Sequence, residues 1–279
     1  MKIALIFLTH NRLEYTKLAL QSVLANPNDD FALTIWDNAS TDGTAEYLKT
    51  IKDPRIKEII FSRENVAQTT AVRQVWQASK ADLVGKLDND CLLPRGWLIT
   101  LARAHQDISN LGSIACWPFF PDDFDYHRAK HKIQQLGTHQ ILRHPWTCGT
   151  GFLIKRRTFE EMQPLEGGGM TGFFIRVAAK GYINGFYYPL LFQDHMDDPK
   201  SSHCRIKTEE GYREAAKVTA VLQSGRFSDL EGYMKYRQAI IDTILDGTLD
   251  PRAYVGWRDR LRRGTKWALR IARSLPLVG

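Results

Sequence analysis

Val84-Gly85-Lys86-Leu87-Asp88-Asn89-Asp90 reads as a buried strand that ends in two carboxylates one residue apart. Oxygen ligands at a strand end suit a hard divalent cation such as Mg²⁺ or Mn²⁺, which commonly bridges substrate phosphates. Taken alone, the same residues also make a turn, because Asp and Asn bond their own backbone. Three more polar clusters fall at the carboxyl ends of apolar runs or just past one. They are Thr9-His10-Asn11-Arg12, Asp37 to Thr44, and Asp194-His195-Met196-Asp197-Asp198. A lone His is more often structural, but one beside a strand end and next to Asp194 is a better ligand candidate.

The elements that must position these groups alternate strand with helix. Lys2–Leu8 is an unbroken apolar run, as expected of a strand buried on both faces. Glu14–Leu24 has helical periodicity, Ala32–Trp36 is a second strand, and Thr41 or Asp42 caps a helix over Ala45–Ile51. Strand Ile56–Phe61, helix Val66–Ser79 and strand Asp82–Leu87 follow. This order predicts βαβ units and a mainly parallel sheet, with ligands at the carboxyl ends of the strands. Further on, Trp97–His105 and Thr171–Lys180 read as helices, and Ser113–Trp117, Thr150–Ile154 and Ile183–Phe192 as strands. Residues 118–146 read as an irregular segment. Beyond about residue 206 the pattern is helical, with Glu209–Gln223, Leu230–Leu245 and Arg258–Leu275 as the helices. The expected division is therefore an α/β domain over 1–205 and a helical region over 206–279.

Of the 279 residues, 43% are hydrophobic and 25% charged, ordinary for a folded protein. No apolar run approaches the roughly 18 residues of a membrane-spanning helix, and Ile3–Leu8 is too short for a signal peptide. Cys91, Cys116, Cys148 and Cys204 form no C-x-x-C pair, which favours reduced thiols in a cytoplasmic protein. The formal charge of +7 is carried entirely by residues 251–279, where eight Lys or Arg oppose Asp259. A neutral body argues against nucleic acid along the fold. On a helical wheel of this last segment, Trp257, Leu261, Ala268, Ile271, Ala272 and Leu275 fall on one side, and Arg262, Arg263, Lys266, Arg270 and Arg273 on the other. That pattern fits peripheral attachment to the inner face of an anionic membrane.

The succession of Thr-His-Asn-Arg, Asp-Asn-Ala-Ser-Thr-Asp-Gly-Thr, Glu64-Asn65, Ala71-x-Arg73 and Leu-Asp-Asn-Asp resembles the family 2-like glycosyltransferases over about residues 1–200. Phe192-Gln193-Asp194-His195 adds a fifth piece. The resemblance implies a GT-A fold: a Rossmann-like, mainly parallel mixed sheet with helices on both faces, here followed by a C-terminal helical extension. It implies transfer of a sugar from a nucleotide-sugar donor, a UDP-sugar, to a glycan or lipid-linked acceptor in cell-surface polysaccharide synthesis, with Mn²⁺ or Mg²⁺ as cofactor. Thr9, Asn11 and Arg12 then touch the nucleotide, Asp37 with Asn38 reads the base, and Arg73 sits near the diphosphate or base. Asp88 and Asn89 face ribose and sugar. Asp90, with Asp88 and His195, completes the metal set.

One part of the family pattern is missing. The helix whose later part reads Arg176-Val177-Ala178-Ala179-Lys180-Gly181-Tyr182 normally begins with an acid, and Gly169 and Met170 stand at those positions. Glu166 is the candidate general base, with Asp122, Asp123, Asp125 and Asp194 as rivals. Three alternatives follow: a retaining enzyme, an inactive relative that binds nucleotide or glycan, and a sugar-phosphate nucleotidyltransferase. The last usually opens with a Gly-rich loop after the first strand, and Thr9–Arg12 contains no Gly.

Overall fold

The computed structural model describes residues 1–25, 30–163, 165, 169–223, 227–256 and 258–259. The chain runs β1 (Ile3–Thr9), α1 (Leu13–Leu24), β2 (Ala32–Asp37), α2 (Thr44–Thr50), β3 (Ile56–Phe61), α3 (Gln68–Ala78) and β4 (Leu83–Asp88). A two-residue strand β5 (Cys91–Leu92), helix α4 (Trp97–Asp107) and strand β6 (Leu111–Ala115) come next. They are followed by α5 (Tyr126–Ala129), β7 (Ile133–Leu136), β8 (His139–Arg143), β9 (Phe152–Lys155), α6 (Arg156–Glu161) and α7 (Gly169–Ala179). Strands β10 (Ile183–Tyr188) and β11 (Asp194–His195) precede α8 (Glu209–Ala216), α9 (Ala220–Gln223) and α10 (Leu230–Asp246).

Nine strands form one sheet in the order β3-β2-β1-β4-β9-β6-β10-β8-β7. Strands β1 to β4 pair in parallel, as the βαβ pattern requires. The other half is largely antiparallel: β9 runs against both β4 and β6, and β8 against both β10 and β7. Antiparallel pairing thus takes a larger share of the sheet than the sequence periodicity implies. The 118–146 segment is not irregular throughout. It holds α5 and the hairpin β7–β8, which turns at Gly137 with φ +59°. Short strands of mixed polarity such as Ile133-Gln134-Gln135-Leu136 carry no clean period of two, so the sequence hides them. Similarly, Glu209–Gln223 divides into α8 and α9, while the third C-terminal helix lies, from residue 260 on, outside the described residues.

The apolar runs fill both faces of the sheet. Leu5 and Phe7 enter one buried cluster with α1 and α4. Ile6 and Leu8 enter another with α3 and α7. This is why Lys2–Leu8 shows no alternation. Close contact between β4 and β9 needs Gly85: a Cβ there would lie 2.5 Å from the Phe152 carbonyl oxygen. The C-terminal helices are capped by acceptors that the sequence supplies. Thr208 Oγ1 accepts from Gly211 N at 3.1 Å and Asp229 Oδ1 from Gly232 N at 2.7 Å. They do not stand apart from the α/β body. Arg128 pairs with Asp242 and Asp246 of α10, and the hydroxyl of Tyr233, on α10, donates to the carbonyl of Asp197 at 3.1 Å.

Candidate active site

The polar loops meet at the carboxyl ends of β1, β2 and β4, around a cavity of about 520 Å³. The first loop carries its own strain. Asn11 and Arg12 both adopt positive φ, 53° and 63°, which costs a non-glycine residue of order 1 kcal/mol or more. Neighbouring loops hold it there. Asn11 N donates to Ser40 Oγ at 2.7 Å, and Thr41 N donates to Asn11 Oδ1 at 2.7 Å. The Asn89 amide donates to the Asn11 carbonyl, Thr9 Oγ1 and Thr16 Oγ1, each at 3.1 Å. Asn89 therefore spends its amide N–H groups on the first loop. Asn89 also lines the cavity, where it is expected to face ribose and sugar.

Asp88 and Asp90 are set apart by their neighbours. Lys86, 1% exposed, directs its ammonium to both oxygens of Asp88 at 2.6 Å and to the Gly149 carbonyl at 2.8 Å. Burial pushes the Asp88 carboxyl up and the Lys86 charge opposes it. Asp90 instead meets His195 and Cys91, with one donor atom of each within 4.8 Å of the others. Pairing of β5 with β11 makes this meeting, since it puts His195 opposite Cys91. Burial would raise Asp90, but His195 and Arg12 outweigh it and hold the carboxyl below its usual range. A carboxylate oxygen and an imidazole nitrogen suit Mn²⁺ or Mg²⁺. The Cys91 thiol is not a matching third ligand: burial raises it well above its ordinary range, and it donates to Asp90 Oδ1 at 3.4 Å. Asp88, expected in the metal set, is not in this cluster, and Lys86 bonds both of its oxygens.

The other sequence candidates divide between cavity wall and scaffold. Thr9, Arg12 and Asn38 line the cavity. Thr9 is 2% exposed and bonded to Thr16 Oγ1 at 2.7 Å. Asn38 clamps Val66 through both amide atoms, at 3.0 and 2.8 Å, and so ties β2 to the start of α3. Asp37 is buried away from the cavity wall, accepts from the Ser40 hydroxyl and is raised by burial. Arg73, on α3, and Asn11 also lie outside that wall. Glu166 lies outside the described residues, but Leu165 before it is fully buried and Thr171 after it lines the cavity. Of the rival acids, Asp122 and Asp123 bind Lys200 and Asp125 caps α5, so none of these three reaches the cavity wall. Asp194 has a buried Oδ1 with no partner, but it too is outside that wall. Among the described residues lining the cavity, Asp88 and Asp90 are the carboxylates.

Several wall residues have no role assigned from the sequence: His10 and Asn65, although they stand inside its motifs, and three from α10, outside any motif. His10 Nδ1 binds the Asn38 carbonyl at 2.8 Å, and Asn65 stands beside it. Tyr233, Tyr236 and Arg237 come from α10, about 150 residues beyond the Asp-x-Asp, and line the same cavity. Asp197 and Asp198, just past His195, hold Arg12 and Arg237. The Asp-rich run 194–198 was visible in the sequence, but its arginine partners could be paired with it only in three dimensions.

A nine-stranded α/β sheet with a carboxylate–imidazole pair at the switch beside β4 defines a glycosyltransferase of the GT-A type. The chain belongs to glycosyl transferase family 2, whose model matches residues 5–169. Its fold is shared by the mannosyltransferase PcManGT from Pyrobaculum calidifontis, solved in complex with GDP-Man and Mn²⁺. That match has 18% identity and a TM-score of 0.57 over 96% of this chain and 80% of that one. It is shared also by S. aureus TarS 1-349, at 14% identity and a TM-score of 0.55, over 92% and 73% of the two chains. No curated protein sequence matches it. No helix among the described residues is long and apolar enough to cross a membrane.

Proposed function

We propose that the protein transfers a sugar from a nucleoside-diphosphate donor, a UDP-sugar, to a hydroxyl of a glycan or lipid-linked acceptor, with Mn²⁺ or Mg²⁺ held by Asp90 and His195. The observation that carries this reading is the convergence of Asp90 and His195 at the cavity where Thr9, Arg12 and Asn38 also end. A bound divalent cation would neutralise charge on the leaving diphosphate. Lys86 opposes the upward push of burial on Asp88 and fixes its carboxylate, which we assign as an acceptor for donor hydroxyls. Phe119, Trp146 and Tyr236 give the cavity an aromatic wall suited to the apolar face of a sugar ring or to a lipid-linked acceptor. Glu166, the acid nearest in sequence to the family's base position, is assigned to remove the acceptor proton. The tail-borne charge supports work at the inner surface of a membrane.

A second reading has one observation behind it: the described cavity wall offers no spare carboxylate, which suits transfer with retention. The GDP-Man complex of PcManGT makes a GDP-sugar the second donor to try. The test is a panel of UDP- and GDP-sugars with Mn²⁺ and glycan acceptors, with product configuration read by NMR. The expected result is turnover of a UDP-sugar with inversion, and a loss of about 10² to 10⁴ in kcat for Glu166→Gln. Retention of configuration, with Glu166→Gln at full rate, would remove the base assignment. Absence of turnover or hydrolysis of any nucleotide sugar would remove the reading itself.

A further inference from the structure

Two arginines from distant parts of the chain are gripped by consecutive aspartates beside Asp90. Arg12 donates through both terminal nitrogens to Asp197, one at 3.0 Å, and lies 3.5 Å from Asp90 Oδ2. Arg237, from α10, pairs with Asp198. Its guanidinium carbon lies 5.3 Å from the Phe119 ring centre and 5.9 Å from that of Tyr233. Tyr233 links the two pairs: its hydroxyl donates to the Asp197 carbonyl at 3.1 Å and stands 3.5 Å from Arg237 Nη1. Arg12, Asp90, His195, Tyr233 and Arg237 all line one cavity.

Packing does not require this arrangement. Arg237 is only 9% exposed, and a buried ion pair stabilises no more than a well-packed apolar pair of the same size. Helix α10 already docks through Ile241, Ile244 and Leu245, which are buried in the core. The place of Arg237 in the cavity wall with Asp90 and His195 gives the arginine a purpose. Lys86 balances Asp88, Arg12 balances Asp197 and Arg237 balances Asp198, leaving Asp90 with one negative charge. The Arg237–Asp198 pair adds no net charge, so what Arg237 offers a diphosphate is directed N–H groups rather than surplus charge. A guanidinium has five N–H donors in a planar fork that matches phosphate oxygens, and it keeps its charge at any working pH.

We propose that Arg237 is a catalytic residue that binds the diphosphate of the nucleotide-sugar donor from the α10 side of the cavity. The proposal rests on the donor reading above. In the transfer, the bond from the anomeric carbon to the terminal phosphate oxygen breaks and its electron pair stays on that oxygen. The acceptor hydroxyl forms the new carbon–oxygen bond and gives up its proton to the base. Arg237 holds the leaving nucleoside diphosphate as its terminal phosphate gains charge. The helical region is thereby part of the active site, although the family match ends at residue 169.

The test compares binding of a nucleoside diphosphate with Mn²⁺ and binding of its parent nucleoside, in the full chain. Arg237→Met should weaken the diphosphate about 10- to 100-fold, as loss of a charge-assisted contact does. Nucleoside affinity should stay as in the wild type, and Arg237→Lys should recover part of the loss. Because Arg237→Met strands Asp198, the double variant Arg237→Met/Asp198→Asn is measured too, and it should show the same selective loss. Wild-type diphosphate affinity in the double variant would overturn the assignment, as would equal losses for diphosphate and nucleoside. A wild type that binds no nucleoside diphosphate with Mn²⁺ would instead overturn the donor reading, and this assignment with it.

Discussion

Asp88 and Asp90 are one residue apart, of one type, and end in different chemistry. The difference comes from what faces them: a buried lysine two residues before Asp88, and His195 with Arg12 around Asp90. Asp90→Asn and His195→Ala should therefore cut turnover by at least about 10²-fold and raise the Mn²⁺ concentration needed for half-activity, while melting stays cooperative. Unchanged metal dependence in both would remove the metal assignment. Asp88→Asn should act first on the fold, because it leaves the Lys86 ammonium buried without its counter-charge, a loss of about 3–5 kcal/mol. Adding Lys86→Met should return much of the melting temperature. If the double variant melts no higher than the single one, the pair is not what stabilises this strand end. Only part of this was legible in the sequence. An Asp-x-Asp at a strand end and a His at a later one are readable as ligands. The direction of an amide is not: Asn38 and Asn89 both line the cavity, and the sequence does not show that their amides also brace Val66 and the first loop.

At the scale of elements, the parallel half of the sheet was readable because its strands are continuous apolar runs between well-spaced helices. The β7–β8 hairpin was not, because its pairing with β10 rather than its own periodicity defines it. Helix α4 illustrates what packing adds. Its amphipathic pattern places His105 on the core side, where the ring is 1% exposed against β9. His105 Nε2 donates to the Leu153 carbonyl at 3.0 Å, and Nδ1 is buried with no partner. Burial drives the imidazole pKa down to about 3, Leu153 opposes the shift and Lys155 adds to it. The unfolded chain has a His near 6.5. The folded pKa is the lower one, so the unfolded state takes up the proton first. The stabilisation is complete above about pH 6.5 and is lost as pH falls toward 3, at up to about 1.4 kcal/mol per pH unit. Urea unfolding between pH 7 and 4.5 should therefore give a shallower pH dependence for His105→Gln than for the wild type. Parallel curves for the two would mean that this histidine is not the titrating group.

At the scale of the whole molecule, the body and the end of the chain divide the work. The parallel half supplies the polar loops after β1, β2 and β4, the antiparallel half and α10 add to the cavity wall, and the charge of the protein sits in residues 251–279. The boundary of that last part is set by Tyr254, which is 7% exposed, 5.4 Å from the His144 ring and bonded to the Thr248 carbonyl at 2.8 Å. A truncation for testing the tail should therefore follow Gly256, so that this anchor stays in place. The deleted residues carry seven Lys or Arg against Asp259. Near an anionic leaflet each cation contributes about 1 kcal/mol, and the attraction fades within a Debye length of roughly 8 Å at physiological salt. The full chain should then float with phosphatidylserine vesicles at low salt and leave them as salt rises. The chain ending at Gly256 should stay in solution and keep its turnover on a soluble acceptor. Equal partitioning of the two chains would show that the tail does not bring this enzyme to a membrane. A truncated chain that leaves the vesicles but also loses turnover would place part of the tail in the catalytic fold.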